Sequence, residues 1–110
     1  MHRSMKRAIK RTKEDERAFA NLCATLVEIQ DAKVMASFME GMLTPAEMTE
    51  VSRRWRLLHL LHDGMPQRQI AALLRTSFCK ITRGSRELKR PDSAVRMLID
   101  SNKTKGVSHE

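Results

Sequence analysis

Long apolar runs are missing from this chain. No stretch approaches the roughly 20 residues needed to cross a bilayer, and the basic N-terminus is not followed by a signal-type apolar segment. No membrane partner is expected, and the location expected is cytoplasmic. Cysteine is scarce as well. Cys23 and Cys79 stand in dissimilar stretches without CxxC spacing, which excludes a disulfide framework and leaves two reduced thiols as the expectation. The chain has four glycines and three prolines, with no nucleotide-binding glycine loop and no nucleophile elbow. His59 and His62 lie three apart on one helical stretch, yet no cysteine or carboxylate set accompanies them as a metal site requires. The carboxylates are accounted for by helix capping and charge patterning. Neither catalysis nor a metal or cofactor is expected.

What is present is basic and helical. At 110 residues, 41% of them hydrophobic, the chain has room for one folded domain. Lysine and arginine number 21 against 13 acidic residues, a formal charge of +8. That balance suits a polyanion, because each neutralised phosphate releases counterions. Residues 1–13 are dense in Arg and Lys without apolar periodicity and read as a flexible basic arm, either a solvated tail or a segment that tracks phosphates. A helical domain is expected over residues 14–100, followed by a flexible tail at 101–110.

Within the domain, apolar residues recur at helical spacing. Phe19, Leu22, Cys23, Leu26 and Ile29 make one stripe, and Val34, Met35, Phe38, Met39 and Met42 a second. Thr44, Pro45 and Glu47 form a capping box with proline at the first helical position. The helix they open carries Met48, Val51, Trp55, Leu58 and Leu61, broadened by Leu57 and Leu60, until Asp63-Gly64. After the break at Arg90-Pro91, Asp92 or Ser93 can cap a last helix with Val95, Leu98 and Ile99.

The segment Gln67 to Lys89, QRQIAALLRTSFCKITRGSRELK, reads as a helix-turn-helix. Ile70, Leu73 and Leu74 supply the apolar face of a first helix of about two turns. Ala71 is small enough for a close helix crossing, and Arg75 stands where the turn favours glycine or asparagine. Ser77 can cap the second helix, which Ile81 and Leu88 hold to the body. Its other faces are polar and basic, as a DNA-reading helix requires.

The motifs MLTPAEM, RRWRLL, MPQRQIA and ITRGSRELK together resemble the bacterial tryptophan repressor family over about Phe38 to Ile99, most specifically at Leu43-Thr44-Pro45 and Thr82-Arg83-Gly84-Ser85. The expected fold is all-α, about six helices with a helix-turn-helix over about residues 67–90. Helices this short leave a thin core, which suggests that the first three pack against a second copy. In the family that homodimer is intertwined. Two recognition helices would then stand about 34 Å apart and demand a palindromic double-stranded DNA operator.

The resemblance also implies a corepressor, L-tryptophan. Arg54 and Arg83 match the arginines that sandwich its indole and engage its carboxylate, Thr44 and Gly84 match pocket-lining residues, and carbonyls near Leu43 would receive its ammonium. Guanidinium planes can stack on rings and fork onto carboxylates, which suits that role. Phosphate contacts or surface ion pairs are the other use for the two arginines. Gly41 replaces the usual leucine of the pocket, and Glu87 replaces a small hydroxyl residue near the ligand's amino group, where it could pair with the ammonium.

For DNA, Gln67, Arg68 and Thr82 match family contacts, and Arg68 suits a bidentate guanine contact. Ser77, Phe78, Cys79 and Lys80 open the second helix with bulkier and more basic residues than the family's, and Ala71 replaces a usual lysine, so a shifted operator is expected. Arg86 and Lys89 complete the candidate DNA face. The expected function is a tryptophan-responsive repressor. Two alternatives stand beside it: a regulator of the same fold with another corepressor or none, and a basic helical adaptor.

Overall fold

A computed structural model describes residues 10–104. The start of the basic arm and the end of the tail expected from the sequence lie outside the described residues. Six α-helices follow one another, with no strand among the described residues: α1 Lys13–Val27, α2 Ala32–Met42, α3 Pro45–His62, α4 Gln67–Leu74, α5 Phe78–Lys89 and α6 Ala94–Thr104. The fold is all-helical, as expected. The chain divides after Met42 into two compact units, the first holding α1 and α2 and the second α3 to α6.

In the first unit, α1 begins at a reciprocal cap. The Thr12 hydroxyl accepts from the Asp15 amide and the Asp15 carboxylate accepts from the Thr12 amide, so two orphan donors are satisfied at once. That bonding, the Thr12 amide foremost, holds the Asp15 carboxyl below its ordinary pKa. Asp31 opens α2, its side chain accepting from the Lys33 amide. Neither helix buries a side chain completely; Leu22, Leu26, Met35, Phe38 and Met39 are half-buried, and Phe19, Val34 and Met42 are exposed.

The second unit carries the core. Leu57, Leu58 and Leu60 of α3, Ile70 and Leu74 of α4, Ile81 of α5 and Ile99 of α6 form one buried cluster, flanked by Leu61, Met65, Ala71, Leu88 and Val95. Ile70, Ile81 and Ile99 are wholly excluded from solvent, each stabilising the fold by about 1.5–3 kcal/mol. The first turn of α3 is set by Thr44, whose hydroxyl accepts from the Glu47 amide while Glu47 accepts from the Thr44 amide. At its other end, Gly64 takes the positive φ that a side chain would resist.

Two expectations need correction. Leu73 and Leu98 do not join the core; they are 56% and 54% exposed. In each short helix the buried row runs through residues four apart, Ile70 and Leu74 in α4 and Val95 and Ile99 in α6. A residue three on from the first stands to the side of that row and is left to solvent. Of the two candidate caps for α6 it is Ser93 whose hydroxyl accepts from the Arg96 amide. Arg96 in turn donates to the Leu88 and Pro91 carbonyls, tying the start of α6 to the end of α5. A hydrogen bond between His62 Nε2 and Asp100 Oδ1 and a Lys103–Asp63 ion pair join the end of α3 to α6.

Candidate nucleic-acid interface and ligand cavity

The link between α4 and α5 is three residues long, Arg75 to Ser77. Arg75 adopts the left-handed conformation (φ 52°, ψ 50°), and its amide and that of Thr76 both return to the Ala71 carbonyl. Ser77 then closes the first turn of α5 by accepting from the Lys80 amide, 3.3 Å away. α5 ends where Arg90 is extended, as a residue preceding proline tends to be.

At 3.6 residues per turn, α5 sorts its side chains into three strips. Ile81 and Gly84 are buried, and Leu88 packs against the core. Phe78, Cys79, Thr82, Arg86 and Lys89 share a second, exposed strip. Lys80, Arg83 and Glu87 fall on the third, which turns towards α3 and lines a cavity of about 890 Å³. Gln67 and Arg68 are exposed in the first turn of α4. Of the residues singled out for DNA, Phe78, Cys79, Thr82, Arg86 and Lys89 thus share one exposed strip, whereas Ser77 and Lys80 line the cavity, Lys80 Nζ lying 3.6 Å from Glu50 Oε2. Both partners are largely exposed, so the pair contributes little stability.

The cavity lies among α3, the turn and α5. Its wall includes Arg53, Arg54, Arg75, Lys80, Arg83 and Arg90 against the carboxylates Glu50 and Glu87. It thus suits a ligand that carries negative charge. Gly84 forms part of the wall, and Leu57 and Leu58 give it apolar surface. Glu87 is held by Arg90, which donates from Nε and Nη2 at 3.1 and 3.0 Å, and by the Ser93 hydroxyl at 2.7 Å. These bonds, that of Arg90 first, keep the Glu87 carboxyl below its ordinary pKa, and the Arg83 charge adds to the effect. Arg54, Arg83, Gly84 and Glu87 converge on this cavity; Leu43 and Thr44 are not part of its wall.

Sequence reasoning overlooked Glu50, Arg53 and Arg75 as wall residues. Glu50, Arg53 and Arg54 were accessible to it, since Leu57 continues the same row at helical spacing along α3. Arg90 lies beyond the end of α5, and only its bonds to Glu87 bring it in.

A family model described as Trp repressor protein matches residues 7–103. The chain belongs to the Trp repressor family. No curated protein and no solved structure gives a significant match. Membership in the Trp repressor family makes this chain a helix-turn-helix, DNA-binding transcriptional repressor by class, with α4 and α5 as its helix-turn-helix. This is a regulatory family, not an enzymatic one. Among the described residues no group of three or more His, Cys, Asp or Glu is placed to hold a metal, and no helix is long and apolar enough to cross a membrane. His59 is buried instead, with Trp55 edge-on to it at 4.6 Å between ring centroids.

Proposed function

We propose that the protein is a cytoplasmic, tryptophan-responsive repressor that binds a palindromic operator as a homodimer, controlling genes of tryptophan biosynthesis or uptake. The observation that carries this reading is the convergence of Arg54 from α3 and Arg83 from α5 on one cavity whose wall also includes Gly84. Two guanidinium groups can hold a flat ring between their planes and fork onto a carboxylate, a combination that an aromatic amino acid satisfies.

The cavity lies between α3 and the helix-turn-helix, so a ligand seated there bears on the orientation of α4 and α5. Affinity for DNA then changes by the ligand's differential binding to the DNA-competent and incompetent orientations. On the outer strip of α5, Thr82, Arg86 and Lys89 would meet the major groove, with Phe78 and Cys79 at the leading turn and Arg68 of α4 beside them.

A second copy is part of the proposal for a geometric reason. Thr44 and Arg54 are ten residues apart on a continuous helical stretch, roughly 15 Å at 1.5 Å per residue. Leu43 and Thr44 are not part of the wall that Arg54 lines, so in this proposal they come from the partner. Within the first unit, exposed Phe19, Val34 and Met42 supply apolar surface for such an interface.

Calorimetric titration with L-tryptophan tests the reading, followed by selection of bound duplexes from a randomised pool with and without the ligand. Saturable binding at one site per chain and enrichment of palindromes only with ligand are expected. No heat at millimolar L-tryptophan from folded, dimeric protein would overturn the corepressor assignment and direct attention to other aromatic acids.

A further inference from the structure

Charge on the cavity wall does not balance. Arg53, Arg54, Arg75, Lys80, Arg83 and Arg90 share it with only two carboxylates, Glu50 and Glu87. Both carboxylates are engaged: Glu50 faces Lys80 at 3.6 Å, and Glu87 accepts from Arg90 at 3.1 and 3.0 Å. The wall therefore carries four arginines in excess of its carboxylates. A concave surface of one sign concentrates ions of the other. An amino acid zwitterion has no net charge and leaves that excess standing.

Two contacts between α3 and α5 locate part of the excess. Lys80 meets Glu50, and Gly84 backs onto Leu57, where an added β-carbon would lie 2.7 Å from Leu57 Cδ2. On α3, Arg53 stands three residues after Glu50 and four before Leu57, on the face that both contacts use. Arg75 reaches the cavity from the turn that leads into α5, whose first turn holds Lys80. Among the described residues Arg75 is the only non-glycine residue with a positive φ. Glycine would take that conformation without strain, and strain of this kind gathers at ligand sites. An arginine kept there, with its side chain on a cationic cavity, is explained by what its guanidinium binds.

We propose that the turn end of the cavity, at Arg53 and Arg75, is a subsite for the phosphate group of a small phosphate monoester. Near neutrality such a group carries a charge of about −1.5 to −2 and three strong acceptor oxygens, which guanidinium forks match. The cavity of about 890 Å³ lies within the range of roughly 300–1,000 Å³ that small-molecule sites occupy, so a ring and a phosphate fit together. The two arginines line the cavity, whereas the outer strip of α5 is the one assigned to DNA. Neither takes part in the tryptophan reading, so the two proposals stand separately.

Calorimetry on the full-length protein with phenyl phosphate, and with phenyl sulfate as its singly charged counterpart, tests the subsite near neutral pH. Saturable binding at one site per chain is expected, tighter for the phosphate by on the order of tenfold, the range of one charge-assisted hydrogen bond. Arg53→Gln and Arg75→Gly should each weaken phenyl phosphate by a similar factor and leave the result with L-tryptophan as it is in the native protein. Arg75→Gly also relieves backbone strain, so its loss of binding is not a loss of fold; circular dichroism verifies both variants. No saturable binding of phenyl phosphate, equal affinity for the sulfate, or affinity unchanged in both folded variants would overturn the subsite. Duplex affinity that fell in the variants while phenyl phosphate binding held would assign the arginines to the DNA backbone and overturn it as well. Phenyl phosphate binding without L-tryptophan binding would uphold the subsite and strike the corepressor reading alone.

Discussion

Gly84 faces Leu57 so closely that a β-carbon added to the glycine would lie 2.7 Å from Leu57 Cδ2 and 3.1 Å from Leu61 Cδ1. The absence of a side chain lets α5 settle onto α3 and brings Arg83 to the same cavity as Arg54. Gly84→Val should therefore destabilise the protein by roughly 1–3 kcal/mol through overpacking. Gly84→Ala should cost less, because alanine recovers about 0.5–1 kcal/mol of helix propensity. Urea denaturation of the two variants checks the order.

Arg83→Ala should leave helical content unchanged, since Arg83 is exposed and lies off the buried strip of α5. Its affinity for L-tryptophan should fall on the order of tenfold to a hundredfold, the range of one or two charge-assisted hydrogen bonds. Calorimetry together with ligand-dependent DNA retardation measures this, and an unchanged response would remove Arg83 from the pocket.

The turn of the helix-turn-helix stores strain in Arg75, whose φ of 52° disfavours any residue with a Cβ. Arg75→Gly relieves that strain and loses part of the gain to the greater freedom of glycine in the unfolded chain. A net stabilisation of about 0.5–1 kcal/mol is expected. A lower denaturation midpoint would mean that the arginine side chain itself holds the turn.

Thr44→Ala removes the hydroxyl that accepts from the Glu47 amide at the start of α3. The expected loss is about 1 kcal/mol, read by calorimetric unfolding. In the proposed homodimer the same change should also weaken L-tryptophan binding, whereas a purely local cap would leave affinity unaltered.

Acid should expose the Glu87 clamp. The folded-state pKa is lowered from the ordinary 4.5, so the contribution is present in full above that value and is lost as pH falls through the folded pKa. Glu87→Gln should accordingly be less stable than the native protein near neutrality, and the gap should narrow below about pH 4.5. A gap that stayed constant from pH 7 to pH 3 would show that the carboxylate charge does not support the fold.

Local chemistry was readable without coordinates. The capping box of Thr44 and Glu47, Ser77 as the cap of α5, the left-handed position of Arg75 and the stop before Pro91 each depend on a few adjacent residues. The all-helical class and the helix-turn-helix followed from those signals and from apolar spacing, because backbone hydrogen bonds within a helix and its caps close over three or four residues. What spacing could not decide was which of two neighbouring apolar residues would be covered. Leu73 and Leu98 match the helical period as well as Leu74 and Ile99 do, yet burial goes to the row that meets another helix. The cavity belongs to the same class of fact. Arg54 and Arg83 are visible as residues, whereas their convergence, the turn of Lys80 towards Glu50 and the clamp of Arg90 and Ser93 on Glu87 are products of α3, α5 and α6 packing together. Periodicity determines which face of a helix is apolar; only the packed neighbour determines which flank of that face becomes a site.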